Sequence, residues 1–576
     1  MHGIAASPGI AIGTVFLYQD DTPQVPQYSL AEEAVEEEIR RLQDAVQRAE
    51  ADIRQIQQEN NSRLEKDEQA ILDAHLMMLQ DPTLFESVHR KLQEDLLNVE
   101  WVVHQTVKEL MEKLMASGDP YLKERTTDLR DVSKRVLSHL LAHTRVGLES
   151  LQEEIILVTH DLMPSDAVTM EKSKVMAIAM DAGGKTSHTA ILARSFEIPA
   201  VLGLGTVTRM LSGGEVLIVD GNHGVVILDP DDQTLSEYRT MQDEWHEHEN
   251  QLMRLKNLPA ETSDGKLIYL NGNIEVPEEV VSIHSHGADG IGLYRSEFLF
   301  LGTHSLPDEN EQYGAYRRVL ESMQGRPVTI RTLDVGGDKL STHIDHRDEK
   351  NPILGWRAIR MCLSEVDLFK TQLRALLRSS VHGRLQIMFP MISGIPELSR
   401  ALDLLEEARQ ELRDREVPFA RDIPVGIMIE VPSAALTADA LARKVDFFSI
   451  GTNDLIQYTL AVDRGNERVA YLYEPFHPGL LKLIRMIIES GHREGIPVAM
   501  CGEMAGDPLA TVVLLGLGLD QFSMGAVGIP EVKRIIRSAS MAEAEELVGS
   551  IMEMRTAAEI NTAVQGYMKK RFGLDA

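Results

Sequence analysis

The stretch "DAGGKTSHTAILARS" at 181–195 combines a glycine pair, a lysine, three hydroxyl residues around His188 and an apolar run that follows at once. Its "GKT" matches the tail of the phosphate-binding motif G-x-x-x-x-G-K-[ST]. The first glycine of that motif would fall at position 179, which is Ala179, so this reading is excluded. Two others remain open. In one, Thr186 or Ser187 caps a helix whose buried face begins with Ala190, Ile191 and Leu192. In the other, glycine N–H groups and a helix N-terminus form an anion nest. The same helix end disfavours imidazolium, so His188 keeps a nitrogen lone pair with which to accept and carry a phosphoryl group.

A second set of reactive residues lies in the C-terminal half. The guanidinium groups of Arg295, Arg331 and Arg464 match a small substrate bearing both phosphate and carboxylate. Lys339 and Arg357 either add positive charge or form structural ion pairs. Glu430 and Asp454 make a sparse oxygen site suited to Mg²⁺ completed by substrate and water. Cys501, at an apolar strand end, either fills core or moves one proton. The 19 histidines are scattered, without the spacing of a zinc site.

The elements that must position these residues are legible as well. From about 262, eight apolar runs appear: "KLIYLNGN", "GIGLYRSE", "VTIRTLD", "LQIMFPM", "VGIMIEVP", "FFSIGTND", "PVAMCGE" and "QFSMGAVG". Helical patterns separate most of them, which predicts a (β/α)₈ barrel whose site lies at the C-terminal ends of the strands. Arg295 with Glu297, Arg331 with Asp334, Glu430, Asn453 with Asp454, and Cys501 with Glu503 all sit at such ends. The N-terminal part reads as a compact α/β unit interrupted by an inserted helical bundle. In that bundle Val35, Ile39, Leu42, Val46, Ala49, Ile53 and Ile56 form an amphipathic seam. The charged stretch 233–258 reads as a helical linker. The fold class is therefore multidomain α/β.

A net charge of −31 over 576 residues argues against a nucleic-acid partner. Only Cys362 and Cys501 are present, which fits a reducing compartment. The start "MHGIAASPGIAIG" lacks the pattern of a signal peptide, and no apolar run approaches a membrane span, so a cytoplasmic protein without membrane insertion is expected.

Taken together, "GGKTSHTAILAR", "GLYRSEFLF", "RTLDVGGDK", "NPILGWRAIR", "GIMIEVPSA", "FFSIGTNDLIQYTLAVDRGNE", "YEPFHP" and "CGEMAGDP" closely resemble Enzyme I of the bacterial phosphoenolpyruvate:sugar phosphotransferase system. The resemblance runs through the whole chain, "HDLMPSD" included. It implies that phosphoenolpyruvate binds at the barrel, that its phosphoryl group moves to Nε2 of His188 with release of pyruvate, and that HPr then takes it. It also implies substrate contacts from Arg295, Arg331, Asn453, Asp454 and Arg464, a Mg²⁺ site at Glu430 and Asp454, and proton donation by Cys501.

The same resemblance implies a phosphohistidine α/β domain at 1–20 and 148–231 and a helical HPr-binding subdomain at 21–147. A helical linker at 232–261 and a barrel at 262–576 that forms a homodimer complete the organisation. The HPr surface is expected around "AHLMMLQDPTLF", where Met77, Met78, Leu79, Leu84 and Phe85 compete between docking and core. Ile353 and Ser433 depart from the family's commoner phenylalanine and alanine without touching a catalytic role. A dikinase or synthase relative would require an ATP-binding domain, which is not visible. The nitrogen-related paralogue, a regulatory alternative, would carry an extra N-terminal sensory domain.

Overall fold

In this computed structural model the described residues are 1–18, 27–31, 34–59, 72, 75–79, 82–116, 120–141, 153–162, 170, 174–184, 189–190, 193, 197–300, 306–336, 349, 351–464, 466 and 468–574. They fall into two compact units, Met1–His248 and Glu249–Ala576.

The first unit is built on a seven-stranded sheet: β1 (Ile4–Ser7), β2 (Ile10–Tyr18), β3 (Ile155–Thr159), β4 (Val175–Met180), β5 (Ala200–Leu202), β6 (Val216–Asp220) and β7 (Val225–Leu228), in the order β1-β5-β4-β3-β2-β6-β7. Strand β3, "IILVT", is buried throughout. Alternation sends its residues to two cores. Ile155 and Leu157 join Ile178, Met180, Ala190 and Ala193 on one face. Ile156 and Val158 join Ala177, Ala179 and Val219 on the other. Ala190 and Ala193, just past the histidine stretch, are thus anchored in the sheet's core.

Between β2 and β3, which pair in parallel, the described residues include the helices α1 (Val35–Glu59), α2 (Pro82–Asp95), α3 (Val99–Ala116) and α4 (Pro120–Leu140). The predicted seam of α1 is observed from Val35 to Ile53: Val35, Leu42, Ala49 and Ile53 are buried with Leu92, Val103, Leu129 and Val136, and Ile39 and Val46 pack against them, while Ile56 lies outside the residues whose side chains are described. Within "AHLMMLQDPTLF", Leu79 joins that core, Met78 and Phe85 pack against it, and Met77 stays 60% exposed. Leu84 lies outside the residues whose side chains are described. The helix Asp232–Met253 contains no buried residue, in keeping with its many charges and few large apolar side chains.

The second unit is a closed barrel of eight parallel strands: β9 (Leu267–Ile274), β10 (Gly290–Arg295), β11 (Pro327–Arg331), β12 (Arg384–Phe389), β13 (Val425–Ile429), β14 (Phe447–Ile450), β15 (Val498–Met500) and β16 (Gln521–Met524). A short strand, β8 (Ala260–Glu261), pairs antiparallel with β9 at the entry. The barrel closes through β16 to β9 and β9 to β10. Each strand coincides with one of the eight runs expected from the sequence.

Alternation again sets the direction of the side chains, except where the register shifts within β10. Ile330, Ile427, Ile429, Phe448, Ile450 and Met500 point outward to the main core beneath the helices. Leu293, Met388, Met428, Phe447 and Cys501 form a separate apolar cluster inside the barrel.

Candidate active site

Strand register assembles the mouth of the barrel. Arg295 pairs with Arg331 across β10 and β11, so two guanidinium side chains leave neighbouring strands at the same level. On the opposite arc Ile429 pairs with Ile450, which pairs with Met500. The next residue of each strand therefore forms one row: Glu430, Gly451, Cys501. The middle strand has no side chain in that row for a geometric reason. A Cβ at Gly451 would sit 2.8 Å from Glu430 Oε2 and 2.9 Å from Met428 Sδ.

The charged residues form a connected network. Arg295 Nη1 donates to Glu275 Oε1 at 2.7 Å. Arg331 pairs through Nη2 with Glu297 and through Nη1 with Asp334 Oδ2 at 2.7 Å. Arg357 Nη2 reaches Asp334 Oδ1 at 2.8 Å and Asp454 Oδ2 at 3.3 Å. All but Arg295 and its partner are largely withdrawn from water. Burial alone would raise the carboxyl of Asp334, yet Arg331 and Arg357 outweigh it and hold that carboxyl below its ordinary range. At Glu297 burial prevails over Arg331 and the carboxyl is pushed up. Among the described residues Arg331 Nε and Glu297 Oε2 are buried without a hydrogen-bond partner, a cost that a polar guest would relieve.

Glu430 is 2% exposed, and its Oε1 accepts the N–H of Met391 at 2.6 Å. Burial, and next the charge of Asp454, raise its carboxyl well above the usual range. Two carboxylates held this way form an all-oxygen donor set of the kind Mg²⁺ prefers. Among the described residues no group of three or more His, Cys, Asp and Glu could hold a metal.

Around the rim, Asn453 and Glu503 bind each other reciprocally. Asn453 Nδ2 donates to Glu503 Oε1 and Glu503 N–H donates to Asn453 Oδ1, both at 3.0 Å. Arg464 is half-exposed, its Nη1 4.0 Å from the same Glu503 carboxylate. In the row of Glu430, Cys501 donates its N–H to Ile450 O at 3.1 Å and its thiol belongs to the apolar interior cluster. Burial pushes that thiol up, so it is uncharged at neutral pH.

Of the residues singled out in the sequence, Arg295, Arg331, Arg357, Glu430, Asn453, Asp454, Arg464 and Cys501 all belong to this one barrel mouth. His188 and Lys339 lie outside the described residues. Sequence reasoning did not single out Glu275, the partner of Arg295, or Tyr458, whose hydroxyl accepts from Arg357 at 3.4 Å and donates to Ile353 O at 2.8 Å. Glu275 directly follows the first barrel strand, and that position was the available signal.

Three family models match the chain: PEP-utilising enzyme, PEP-binding domain, over residues 249–541; PEP-utilising enzyme, N-terminal, over 2–125; and PEP-utilising enzyme, mobile domain, over 151–224. The phosphoenolpyruvate-protein phosphotransferase of Geobacillus stearothermophilus is 45% identical over 574 residues, covering 100% of this chain and 98% of that protein. The chain belongs to the phosphoenolpyruvate-protein phosphotransferase family. Its enzyme class is accordingly that of a transferase. Relatives of the same name from Bacillus subtilis (strain 168) and Staphylococcus carnosus (strain TM300) are 42% and 41% identical. The former alignment covers 99% of this chain and 100% of the relative, the latter 99% of each. No helix among the described residues is long and apolar enough to cross a membrane.

Proposed function

We propose that the chain takes the phosphoryl group of phosphoenolpyruvate onto Nε2 of His188, releases pyruvate, and passes the group to a histidine of HPr. The observation that carries this reading is one barrel mouth in which Arg295 and Arg331 stand side by side, with Glu430 and Asp454 and an uncharged thiol in the row of Glu430.

The roles follow from charge and position. Arg295, Arg331 and Arg464 orient the substrate's phosphate and carboxylate, with Lys339 and Arg357 adding positive charge and Asn453 fixing its polar edge. Glu275, Glu297 and Asp334 keep the guanidinium groups in place until the substrate arrives. Glu430 and Asp454 would hold Mg²⁺, which when bound supplies positive charge to the substrate's oxygens. His188 attacks phosphorus as a neutral imidazole. The N–P bond forms as the P–O bond breaks, and the electron pair stays on the enolate. Most of the rate enhancement comes from positioning and electrostatics. Cys501 gives its proton to the enolate's methylene carbon, and Arg331 faces the resulting thiolate, which regains a proton from water.

The helical segment 21–147 is the HPr-docking subdomain in this reading, with the exposed Met77 on its surface. The segments 1–20 and 148–231 carry the histidine, 232–261 is the linker, and 262–576 binds substrate and dimerises. The enzyme works in the cytoplasm. The test is incubation with labelled phosphoenolpyruvate and Mg²⁺ in the absence of ATP. Acid-labile label appears on the wild-type chain, is absent in His188→Ala, and moves on to added HPr. Labelling that depends on ATP would instead place the chain with the dikinases.

A further inference from the structure

The interior of the barrel is not apolar all round. On the arc of β10 to β14 Leu293, Met388, Met428 and Phe447 share it with one polar pair, Thr329 Oγ1 donating to Gln386 Oε1 at 2.8 Å. On the arc of β16 and β9 it carries a file of hydrogen-bonded polar side chains that no step above uses. Ser523 Oγ donates to Asn273 Oδ1 at 2.6 Å, and Asn273 Nδ2 donates to the carbonyl oxygen of Cys501 at 3.0 Å. Lower in the barrel, Asn271 Nδ2 donates to Gln521 Oε1 at 3.2 Å. Ser523 is fully buried and Asn271 nearly so.

Such a file is costly unless its bonds are made. The surrounding backbone is also shaped to admit it. A Cβ at Gly292 would fall 2.4 Å from Ser523 Oγ and 2.6 Å from Ser523 Cβ, so β10, on the far side of β9, gives up a side chain to make room for this serine. The end of the file is a main-chain atom of the one residue in the interior cluster that carries a transferable proton. Cys501 is then held on both sides of its Cα. Its N–H is bonded to Ile450 O and its C=O accepts from Asn273. With both peptide planes set, the Cα–Cβ bond of Cys501 has one direction, and the thiol's own contact with Ile450 O at 3.8 Å selects where Sγ lies about that bond.

We propose that Asn273 and Ser523 are positioning residues for proton delivery: acting through the Cys501 carbonyl, they aim the thiol at one face of the enolate. The inference rests on the reading of Cys501 as proton donor. If aim is what they supply, their loss lets enolpyruvate escape and collect its proton from water without facial preference. Phosphoryl transfer between His188 and HPr stays as it was.

The experiment measures the configuration of the pyruvate methyl group formed from stereospecifically labelled phosphoenolpyruvate in isotopic water, with full-length enzyme and Mg²⁺. Asn273→Asp keeps an acceptor for Ser523 and puts an oxygen against the Cys501 carbonyl. Ser523→Ala removes one hydroxyl and keeps the fold's volume, so it covers the case in which the first variant does not fold. Both are expected to slow pyruvate formation roughly 10- to 100-fold, the range of a lost positioning contact, and to give a racemic methyl group. Exchange of the phosphoryl group with HPr should stay at the wild-type rate. Retained stereospecificity in Ser523→Ala, or equal loss of both half-reactions, overturns the proposal. Cys501→Ala is the control for the underlying reading. If that variant forms pyruvate with wild-type rate and configuration, the thiol is not the donor and the failure lies there.

Discussion

Gly451→Ala tests how tightly the barrel mouth is built, because it adds one methyl group without straining the backbone. Gly451 has φ −88° and ψ 81°, close to the inverse γ-turn conformation and outside the left-handed region that favours glycine. The added Cβ would lie 2.8 Å from Glu430 Oε2, 2.9 Å from Met428 Sδ and 3.0 Å from Met428 Cγ. The first contact is about 0.6 Å short of the separation at which dispersion contacts become comfortable. Neither neighbour retreats easily: Glu430 is tied to the Met391 N–H at 2.6 Å, and Met428 is buried in the barrel interior. Overpacking of this kind costs about 1–3 kcal/mol of stability, which a domain of this size survives. Its effect on chemistry is larger, since a misplacement of about 1 Å at a catalytic group costs on the order of 100-fold. We therefore expect pyruvate release from phosphoenolpyruvate to fall roughly 10- to 100-fold, with the Mg²⁺ midpoint displaced upward. Phosphoryl exchange between the enzyme and HPr should be unchanged. The assay is coupled pyruvate detection over a Mg²⁺ titration, beside the exchange reaction. A folded variant with wild-type rate and wild-type midpoint would refute the reasoning that the Glu430 position governs the site.

Two further expectations concern other parts of the chain. Asp334→Asn leaves Arg331 and Arg357 buried without the carboxylate that bridges them at 2.7 and 2.8 Å, and should destabilise the barrel by about 3–5 kcal/mol in urea unfolding at pH 7. Because the folded-state carboxyl lies below its ordinary range, this contribution is complete above about pH 4 and is lost as pH falls through the folded value. The wild-type advantage should therefore shrink in acid, and an equal gap at pH 7 and at pH 2 would count against the ion-pair account. Met77→Ala removes an exposed side chain, so unfolding should shift by less than about 0.5 kcal/mol. The KM for HPr should rise on the order of tenfold, as for the loss of one apolar contact worth about 1.4 kcal/mol, and an unchanged KM would exclude Met77 from the docking surface.

What was legible from the residues was every element whose signal is local. Eight apolar runs separated by helical patterns became eight parallel strands, and the stepped seam from Val35 to Ile53 became the buried face of α1. Strand ends were legible too, and with them Arg295, Arg331, Glu430 and Cys501, because a side chain that ends a barrel strand has few places to point. Local signals do not report partners on other strands. That Arg331 is shared by Glu297 and Asp334, or that Arg295 binds Glu275 and not Glu297 two residues on, depends on register and twist between strands.

The same limit explains the interior file. Asn273 and Ser523 read individually as ordinary polar residues near strand ends, separated by some 250 positions, and only barrel closure through β16 and β9 brings them to the Cys501 carbonyl. The sequence by itself determined the kinds of element and the chemical inventory, through periodicity and residue type. Tertiary structure alone decided which charges neutralise one another, which way the thiol faces and why glycine stands between Glu430 and Cys501. Those facts are distances between segments far apart in the chain, and they exist only once the sheet has closed.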